Sequence, residues 1–89
     1  MLTTYFEFGE LVITSGAKME LEIEEIVTLL KWHGQLKQGE LCDEDYQMNR
    51  EALKTNDRIF SAYKVNNQKY YVITEWDRSA TTILKPEEY

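Results

Sequence analysis

Three consecutive segments rich in β-branched and aromatic residues constrain the fold of this chain more than any other feature. The runs RIFSAYKV at 58–65 and KYYVITEW at 69–76 are separated only by the turn Asn66-Asn67-Gln68, a pattern typical of a β-hairpin. A second short turn, Asp77-Arg78-Ser79, then leads to ATTILK at 80–85. The second half of the chain is therefore predicted to form three strands in succession.

The first half predicts one strand and two helices. YFEFGELVIT at 5–14 mixes aromatic and β-branched residues and reads as a strand, with Gly9 as a bend. Residues 17–33 carry apolar side chains at helical spacing, and 43–55 begin with an acidic run that suits a helix N-terminus. The face of the first helix predicted to be buried contains Met19, Ile23, Ile26, Val27, Leu30 and His33.

The element order β-α-α-β-β-β does not alternate strands with helices. Such an order favours the α+β class, here a small antiparallel sheet with two helices packed on one face. A chain of 89 residues is expected to form one domain, 1–89, with a single small core.

Composition excludes several classes of protein. One histidine and one cysteine cannot build a closed zinc site within one chain, and 43–54 lacks the glycine and the final glutamate of a calcium loop. Neither a metal nor a cofactor is therefore expected. No apolar run approaches the roughly 20 residues that span a bilayer. The single cysteine fits a cytoplasmic protein without a membrane partner.

The net charge of −6 argues against ordinary electrostatic binding to nucleic acid. Acidic residues concentrate in the two predicted helices, including Glu20 and Glu24, and basic residues concentrate in the hairpin. The acidic helix residues are expected either to solvate the surface or to attract a basic protein partner. The basic and aromatic hairpin 58–71 is the alternative, as a face for nucleic acid, with Tyr63, Tyr70 and Tyr71 stacking on bases.

Two groups of polar residues are candidate sites. His33, Asp45, Asn49 and Arg58 are predicted to form a polar cluster, either structural or able to bind a ligand, and a small enzyme would need them in one pocket. Glu75, Trp76, Asp77 and Arg78 lie at the predicted hairpin tip and form a candidate contact surface for a partner. Arg78 and its neighbours are expected to point either outward at a partner or inward onto the second helix.

A further pattern of residues runs along nearly the whole chain and is most specific in its C-terminal third. Its members are Thr14, Gly16, Ala17, His33, Gly39, Leu41, Asp45, Asn49, Arg58, Ser61, Ala62, Tyr63, Ile73, Thr74, Glu75, Asp77, Arg78, Ser79, Thr81, Thr82, Leu84, Pro86, Glu87, Glu88 and Tyr89. In this pattern the chain resembles a family of small bacterial proteins associated with plasmids and other mobile elements. The chain departs from the family at Leu36-Lys37-Gln38.

The resemblance implies a bacterial, mobile-element setting and one intact domain, but no particular reaction. Together with the acidity and the small core, it favours a non-enzymatic protein that binds a basic partner. The specific form of this hypothesis is an inhibitor of host defence, anti-restriction or anti-CRISPR, acting on a nuclease or effector. Self-association as a homodimer through Leu21 and Trp32 is a further alternative.

Overall fold

The computed structural model describes residues 4–89, and within them the predicted α+β class is confirmed, with 40% of residues in helices and 27% in strands. The elements, in chain order, are β1 (Glu10–Ile13), α1 (Ser15–Glu20), α2 (Ile23–Gly34), α3 (Asp43–Thr55), β2 (Ile59–Val65), β3 (Gln68–Thr74), β4 (Ala80–Leu84) and a 3-10 turn (Pro86–Glu88).

The four strands form one sheet in the order β1-β4-β3-β2. β2 is antiparallel to β3, and β3 is antiparallel to β4. β1 lies parallel to β4, with Glu10 opposite Ala80 and Ile13 opposite Ile83. The prediction of a purely antiparallel sheet is therefore wrong at this edge. Turn signals describe only strands that are adjacent in sequence, whereas β1 pairs with a strand far along the chain.

The predicted hairpin of β2 and β3 is confirmed, with a loop of two residues. Asn66 and Asn67 both have positive φ, 52° and 66°. A two-residue turn whose twist matches that of the flanking strands requires such values. Val65 and Gln68 are then directly paired, so Gln68 begins β3 instead of completing the turn.

The predicted first strand is shorter than expected, because β1 begins only at Glu10. Residues before it cross the end of α2, where Tyr5 donates its backbone N–H to the Gly34 carbonyl oxygen at 2.9 Å. Gly9 is the predicted bend: its φ is +66°, and a Cβ there would lie 2.4 Å from the carbonyl oxygen of Arg78. Only glycine tolerates both constraints without strain.

The single helix predicted over 17–33 is two helices. Leu21 and Glu22 are extended, and the Glu22 N–H donates to the side chain of Glu25 at 2.8 Å, which starts α2 as one half of a capping box. The apolar spacing continues across this break, so periodicity alone did not reveal it.

The break changes which side chains the helices bury. Met19, Ile23 and Val27 were predicted to face the core but are exposed. Leu21 is buried instead, which removes it as a residue for self-association. The core beneath α2 contains Ala17, Leu21, Leu29, Leu30, Tyr63, Tyr70, Val72 and Ile83.

α2 covers one face of the sheet, as predicted, while α3 packs along the edge strand β2. Leu36, Ala52 and Ile59 form a second, smaller apolar cluster there, with Phe6 and Leu53 against it. The opposite face of the sheet carries no α-helix among the described residues.

Candidate interaction surfaces and the buried polar network

A chain of hydrogen bonds passes beneath α2 at the centre of the sheet. His33 is fully buried, with its Nδ1 2.7 Å from Ser61 Oγ and its Nε2 2.8 Å from Thr74 Oγ1. Thr74 Oγ1 lies 2.7 Å from Thr81 Oγ1, and Thr81 donates to the Phe8 carbonyl oxygen at 2.8 Å. The network thus joins α2, β2, β3, β4 and the segment that precedes β1.

The carbonyl at the end of this network determines where the protons lie. A carbonyl oxygen only accepts, so the Thr81 hydroxyl proton goes to Phe8, and Thr74 must donate to Thr81. Thr74 is then free only to accept, which places a proton on His33 Nε2. His33 Nδ1 therefore accepts from the Ser61 hydroxyl.

Burial lowers the pKa of His33 to about 3, and the positive charge of Arg78 adds to this effect. His33 is consequently neutral at physiological pH, as the proton assignment requires. Both of its ring nitrogens are bonded to protein groups, so a substrate could reach neither without opening the core. The interpretation of His33 as a satisfied core histidine agrees with this geometry.

Asn49 joins α3 to the edge of β2. Its Nδ2 donates to the Phe60 carbonyl oxygen at 2.7 Å, and the Phe60 N–H donates to its Oδ1 at 3.0 Å. The side-chain amide thereby pairs with β2 as a neighbouring strand would. Glu40 also binds the outer edge of β2, since its N–H donates to the carbonyl oxygen of Ala62 at 2.8 Å.

The polar cluster predicted from sequence is not one site. His33 lies beneath α2, whereas Asp45, Asn49 and Arg58 line a shallow depression beside Phe60 at the edge of β2. Asp45 and Arg58 form no ion pair within the described residues. The pocket that a small enzyme would need from these four residues is not assembled.

Arg58 instead contacts the C-terminal residue. Its Nη2 donates to the Tyr89 hydroxyl at 2.9 Å, and its guanidinium lies 5.9 Å from the ring centre of Phe60 and 5.8 Å from that of Tyr89. These contacts place Arg58 on the sheet face away from α2, together with aromatic rings.

Arg78 points inward at the hairpin tip. Its guanidinium donates to the carbonyl oxygens of Asp57 at 2.7 Å, Ala52 at 3.0 Å and Glu75 at 3.2 Å. Ala52 belongs to the last turns of α3, where a cation also complements the helix dipole. Of the two orientations expected from sequence, Arg78 adopts the one that clamps the tip onto α3.

The neighbours of Arg78 are more open to solvent. Asp77 accepts the Ser79 N–H at 3.1 Å, and its hydrogen bonds with Ser79 lower the pKa of Asp77. Trp76 is exposed and Glu75 is half-buried. Glu75, Trp76 and Asp77 therefore remain available at the surface.

The candidate partner-binding residues do not form one surface. The tip precedes β4, whereas Glu20 forms an ion pair with Lys85, which follows β4. A strand of this length separates its two ends by roughly 15 Å. Glu24 is exposed in the first turn of α2.

A different set of carboxylates does share one surface. Asp43, Glu44, Glu51 and Asp57 line a shallow groove along α3 with Gln47, Met48 and Thr55, and we call this the acidic groove. Among residues 4–89, no basic side chain lines the groove itself, although Arg58 lies in the adjoining depression that Met48 and Asp57 also line. Met48 is 68% exposed at its centre, with Glu44 one turn before it and Glu51 one turn after it.

The face of the sheet away from α2 has the opposite character. We call it the outer sheet face, and it carries Arg58, Phe60, Lys64, Lys69, Tyr71 and Tyr89. Lys64 and Lys69 lie directly opposite each other, and the rings of Phe60 and Tyr71 are 4.7 Å apart. Tyr63 and Tyr70, which were predicted to join this surface, are buried beneath α2.

The sequence analysis did not identify the acidic groove, and it gave the inward orientation of Arg78 only as one of two alternatives. The spacing of Glu44, Met48 and Glu51 on one helical face was the signal for the groove. Met48, the apolar residue of this set, is exposed. No local pattern pointed to the two carbonyl partners of Arg78 that hold it inward, because Ala52 belongs to α3 and Asp57 to the segment after it.

Within residues 4–89, no three His, Cys, Asp or Glu side chains are grouped closely enough to hold a metal ion. None of the helices in this part of the chain is long and apolar enough to cross a bilayer. Comparison of the sequence with models of protein families, with curated proteins and with solved structures gave no match in any of the three.

Proposed function

We propose that this protein is a non-enzymatic interaction protein that binds a basic surface of another protein through the acidic groove. The observation that carries the proposal is the groove itself, whose lining contains four carboxylates and no basic side chain among the described residues, with Met48 exposed in it. A group of negative charges attracts a basic partner over a distance. On contact, the flexible side chain of a methionine can adapt its shape to the partner's surface.

The geometry of the carboxylates supports this role. Asp43 accepts a hydrogen bond from Gln38 at 2.8 Å, and Asp57 accepts one from Thr55 at 2.8 Å. Their orientations are thereby fixed before binding, which lowers the entropy lost on association. Glu44 and Glu51 have no such side-chain partner among the described residues, so they are the members best able to reach a lysine or arginine.

The polar network supports the non-enzymatic part of the proposal. His33, the only histidine in the sequence, is bonded through both ring nitrogens and shielded from solvent. A general base must be within reach of the proton that it removes. The hydroxyls of Ser61 and Thr74 are committed to the same network.

We also propose the class of protein to which the partner belongs. The resemblance to mobile-element proteins supports a bacterial, mobile-element setting, and we propose that the protein acts in the cytoplasm. A host nuclease or effector with a basic nucleic-acid channel is the partner that would fit an acidic surface. In this setting the protein would act as an anti-restriction or anti-CRISPR inhibitor.

Capture from a bacterial lysate, with and without nuclease treatment, followed by binding measurements with each retained protein, tests the proposal. We expect nuclease-resistant binding that the double variant Glu44→Lys and Glu51→Lys weakens at least about tenfold, because it reverses the charge on both sides of Met48. The matched control is Glu7→Lys and Glu40→Lys, which makes the same charge change at two exposed positions outside the groove.

Equal binding by both double variants would reject the acidic groove as the contact surface. A lysate that yields no protein partner for the wild-type chain would reject the function itself.

One observation favours a second candidate function, binding of single-stranded nucleic acid on the outer sheet face. Arg58, Lys64 and Lys69 place three positive charges beside three aromatic rings in a protein that is acidic elsewhere. Bases stack on exposed aromatic rings while cations contact the phosphates. A gel shift that weakens as salt rises, and that Lys64→Glu with Lys69→Glu abolishes, would support it.

A further inference from the structure

A depression of about 320 Å³ lies where the end of α2 meets the edge strand β2. It is lined by Trp32 of α2, by Lys37, Gly39 and Glu40 of the loop that follows α2, and by Tyr63 and Lys64 of β2. Ligand-binding pockets commonly have volumes of roughly 300–1,000 Å³. The depression falls within that range, and none of its lining residues belongs to the acidic groove.

The loop that forms one wall of the depression is fixed against β2. The Tyr63 hydroxyl donates to the Lys37 carbonyl oxygen at 2.8 Å, and the Glu40 N–H donates to the Ala62 carbonyl oxygen at 2.8 Å. Gly39 has a φ of +56°, and a Cβ there would lie 2.3 Å from the Tyr63 ring, so glycine permits this close approach. The wall is therefore held by the protein itself, without a ligand.

Trp32 supplies an aromatic wall on the other side. Its ring packs against Tyr63 with ring centres 5.5 Å apart, and its side chain is only partly buried. The contact with Tyr63 restrains the indole, while the part that remains open lines the depression. Aromatic side chains of this kind stack on nucleobases, since every base has a flat π-face.

Two lysines share the depression with the indole. Lys37 and Lys64 are both exposed, and neither forms an ion pair within residues 4–89, although Glu40 also lines the depression. Their ammonium groups are therefore available to an anion. A phosphate group suits them, because it carries the opposite charge and accepts several hydrogen bonds.

We propose that this depression binds a nucleotide, with the base against Trp32 and the phosphate group contacted by Lys37 and Lys64. The combination of ring and cations favours this class of ligand. An acidic peptide would pair with the lysines but would offer the indole no flat partner, and an uncharged aromatic compound would leave the lysines unused. A free nucleotide and a nucleotide within a single strand carry the same chemistry, so the experiment includes both.

The inference goes beyond the functions proposed above, because a free nucleotide needs only the depression. The depression nevertheless adjoins the surface of the second candidate function, since Lys64 belongs both to it and to the outer sheet face. On the other side, Lys37 also lines a neighbouring depression with Tyr5, which is 69% exposed. A bound single strand would therefore find further cations and rings beyond the first nucleotide, and would bind more tightly than a free nucleotide.

Titration of the Trp32 fluorescence tests the site. The chain has two tryptophans, so a Trp76→Phe background leaves Trp32 as the only one. Adenosine monophosphate should quench it saturably, with a dissociation constant below about 1 mM. Adenosine, which lacks the phosphate, should bind at least about tenfold more weakly. A short single-stranded oligoadenylate that binds at least about tenfold more tightly than the monophosphate would identify a strand as the source of the nucleotide, and equal affinity would identify the free nucleotide.

Charge reversal separates this site from the overall charge of the protein. Lys37→Glu with Lys64→Glu should weaken binding of the monophosphate at least about tenfold. The matched control is Lys18→Glu with Lys54→Glu, the same change at two exposed lysines outside the depression, and it should alter binding by less than about twofold. Lys37→Glu alone leaves the outer sheet face unchanged and should still weaken binding. Urea unfolding checks that each variant is folded.

The absence of saturable quenching by both the monophosphate and the oligoadenylate overturns the proposal. So does equal weakening by the two double variants, or adenosine that binds as tightly as its monophosphate.

Discussion

The two edges of the sheet are treated in opposite ways. At the β2 edge, the Asn49 side chain pairs with both backbone groups of Phe60, and Glu40 binds the next outward carbonyl, that of Ala62. At the β1 edge, the corresponding groups of Leu11 and Ile13 face away from the sheet with apolar side chains beside them. The β2 edge is partly covered within the chain, whereas no strand among residues 4–89 pairs with the outer side of β1.

This difference shows how one polar side chain can close a sheet edge. An asparagine amide carries a donor and an acceptor at the spacing of a peptide group, so it can replace a neighbouring strand at one position. An open edge of apolar residues has the opposite effect, because its unpaired groups can bind another strand. The predictions below are ordered from the largest expected effect to the smallest.

Loss of the Asn49 amide should have the largest effect. Asn49→Leu keeps the side-chain size but leaves the Phe60 N–H and C=O without their partner, at a cost of about 3 kcal/mol in the free energy of unfolding. Urea unfolding measures the change. Gln47→Leu, on the exposed side of α3, is the control and should change stability by less than about 0.5 kcal/mol. A small effect of Asn49→Leu would mean that α3 does not close this edge.

Acidification should destabilise the protein through His33, which lies between the two edges. The pKa of His33 is lowered to about 3 in the fold, so between pH 6.5 and 3 the unfolded chain binds a proton that the folded chain does not. Stability present above pH 6.5 is therefore lost as pH falls, by about 2 kcal/mol between pH 7 and pH 5.

Urea unfolding at several pH values, with His33→Gln as the comparison, isolates this contribution. The variant should be less stable at pH 7 but should show a shallower dependence on pH between 7 and 5. The same slope in both proteins would contradict the assignment of a buried neutral His33.

Removal of the Arg78 guanidinium should loosen the tip of the β3–β4 hairpin from α3. Arg78→Met keeps the aliphatic stem and removes the donors to Ala52, Asp57 and Glu75, at a cost of about 1.5 kcal/mol. Arg58→Met is the matched control, since Arg58 is exposed and has one hydrogen bond, to Tyr89, and should cost less than about 0.5 kcal/mol. Equal costs would contradict the clamp.

Substitution at the open edge should have the smallest effect on the stability of the single chain. Leu11→Lys is expected to change the free energy of unfolding of the monomer by less than about 0.5 kcal/mol, because Leu11 is already half exposed. In this variant, hydrogen exchange should be fast at the amides of residue 11 and Ile13 and slow at that of Phe60. Strong protection at the β1 edge of the monomer would show that it is covered within the chain.

The hairpin of β2 and β3 was predictable because it depends on neighbours in sequence. β-branched and aromatic residues on both sides of Asn66-Asn67 specify strands, and the two asparagines accept positive φ. α3 was likewise predicted with its bounds, since its acidic start suits the helix dipole. The break before α2 was missed because the glutamate pair at 22 and 25 lies inside an unbroken apolar period.

The polar residues on which the resemblance in the sequence analysis was based show why a site is harder to predict than a fold. Many of them hold the fold together: Glu88 accepts from the Thr14 hydroxyl at 2.6 Å and from the Gly16 N–H at 3.1 Å, and His33, Asn49 and Arg78 each join separate elements. A specific polar pattern in the sequence does not distinguish such contacts from a binding site. For this reason the sequence analysis grouped His33, Asp45, Asn49 and Arg58 as one cluster, although the structure places His33 apart from the other three.

The sequence by itself determined the α+β class, the order of the last three strands and the acidity of α3, because turn chemistry, periodicity and charge act between near neighbours. Only the tertiary structure decided that β1 pairs in parallel with β4, that Arg78 turns inward and that Asn49 and Glu40 partly cover one sheet edge while the other is unpaired within residues 4–89. These features depend on distant segments meeting, and a backbone N–H or C=O carries no sequence signal of the partner that it finds.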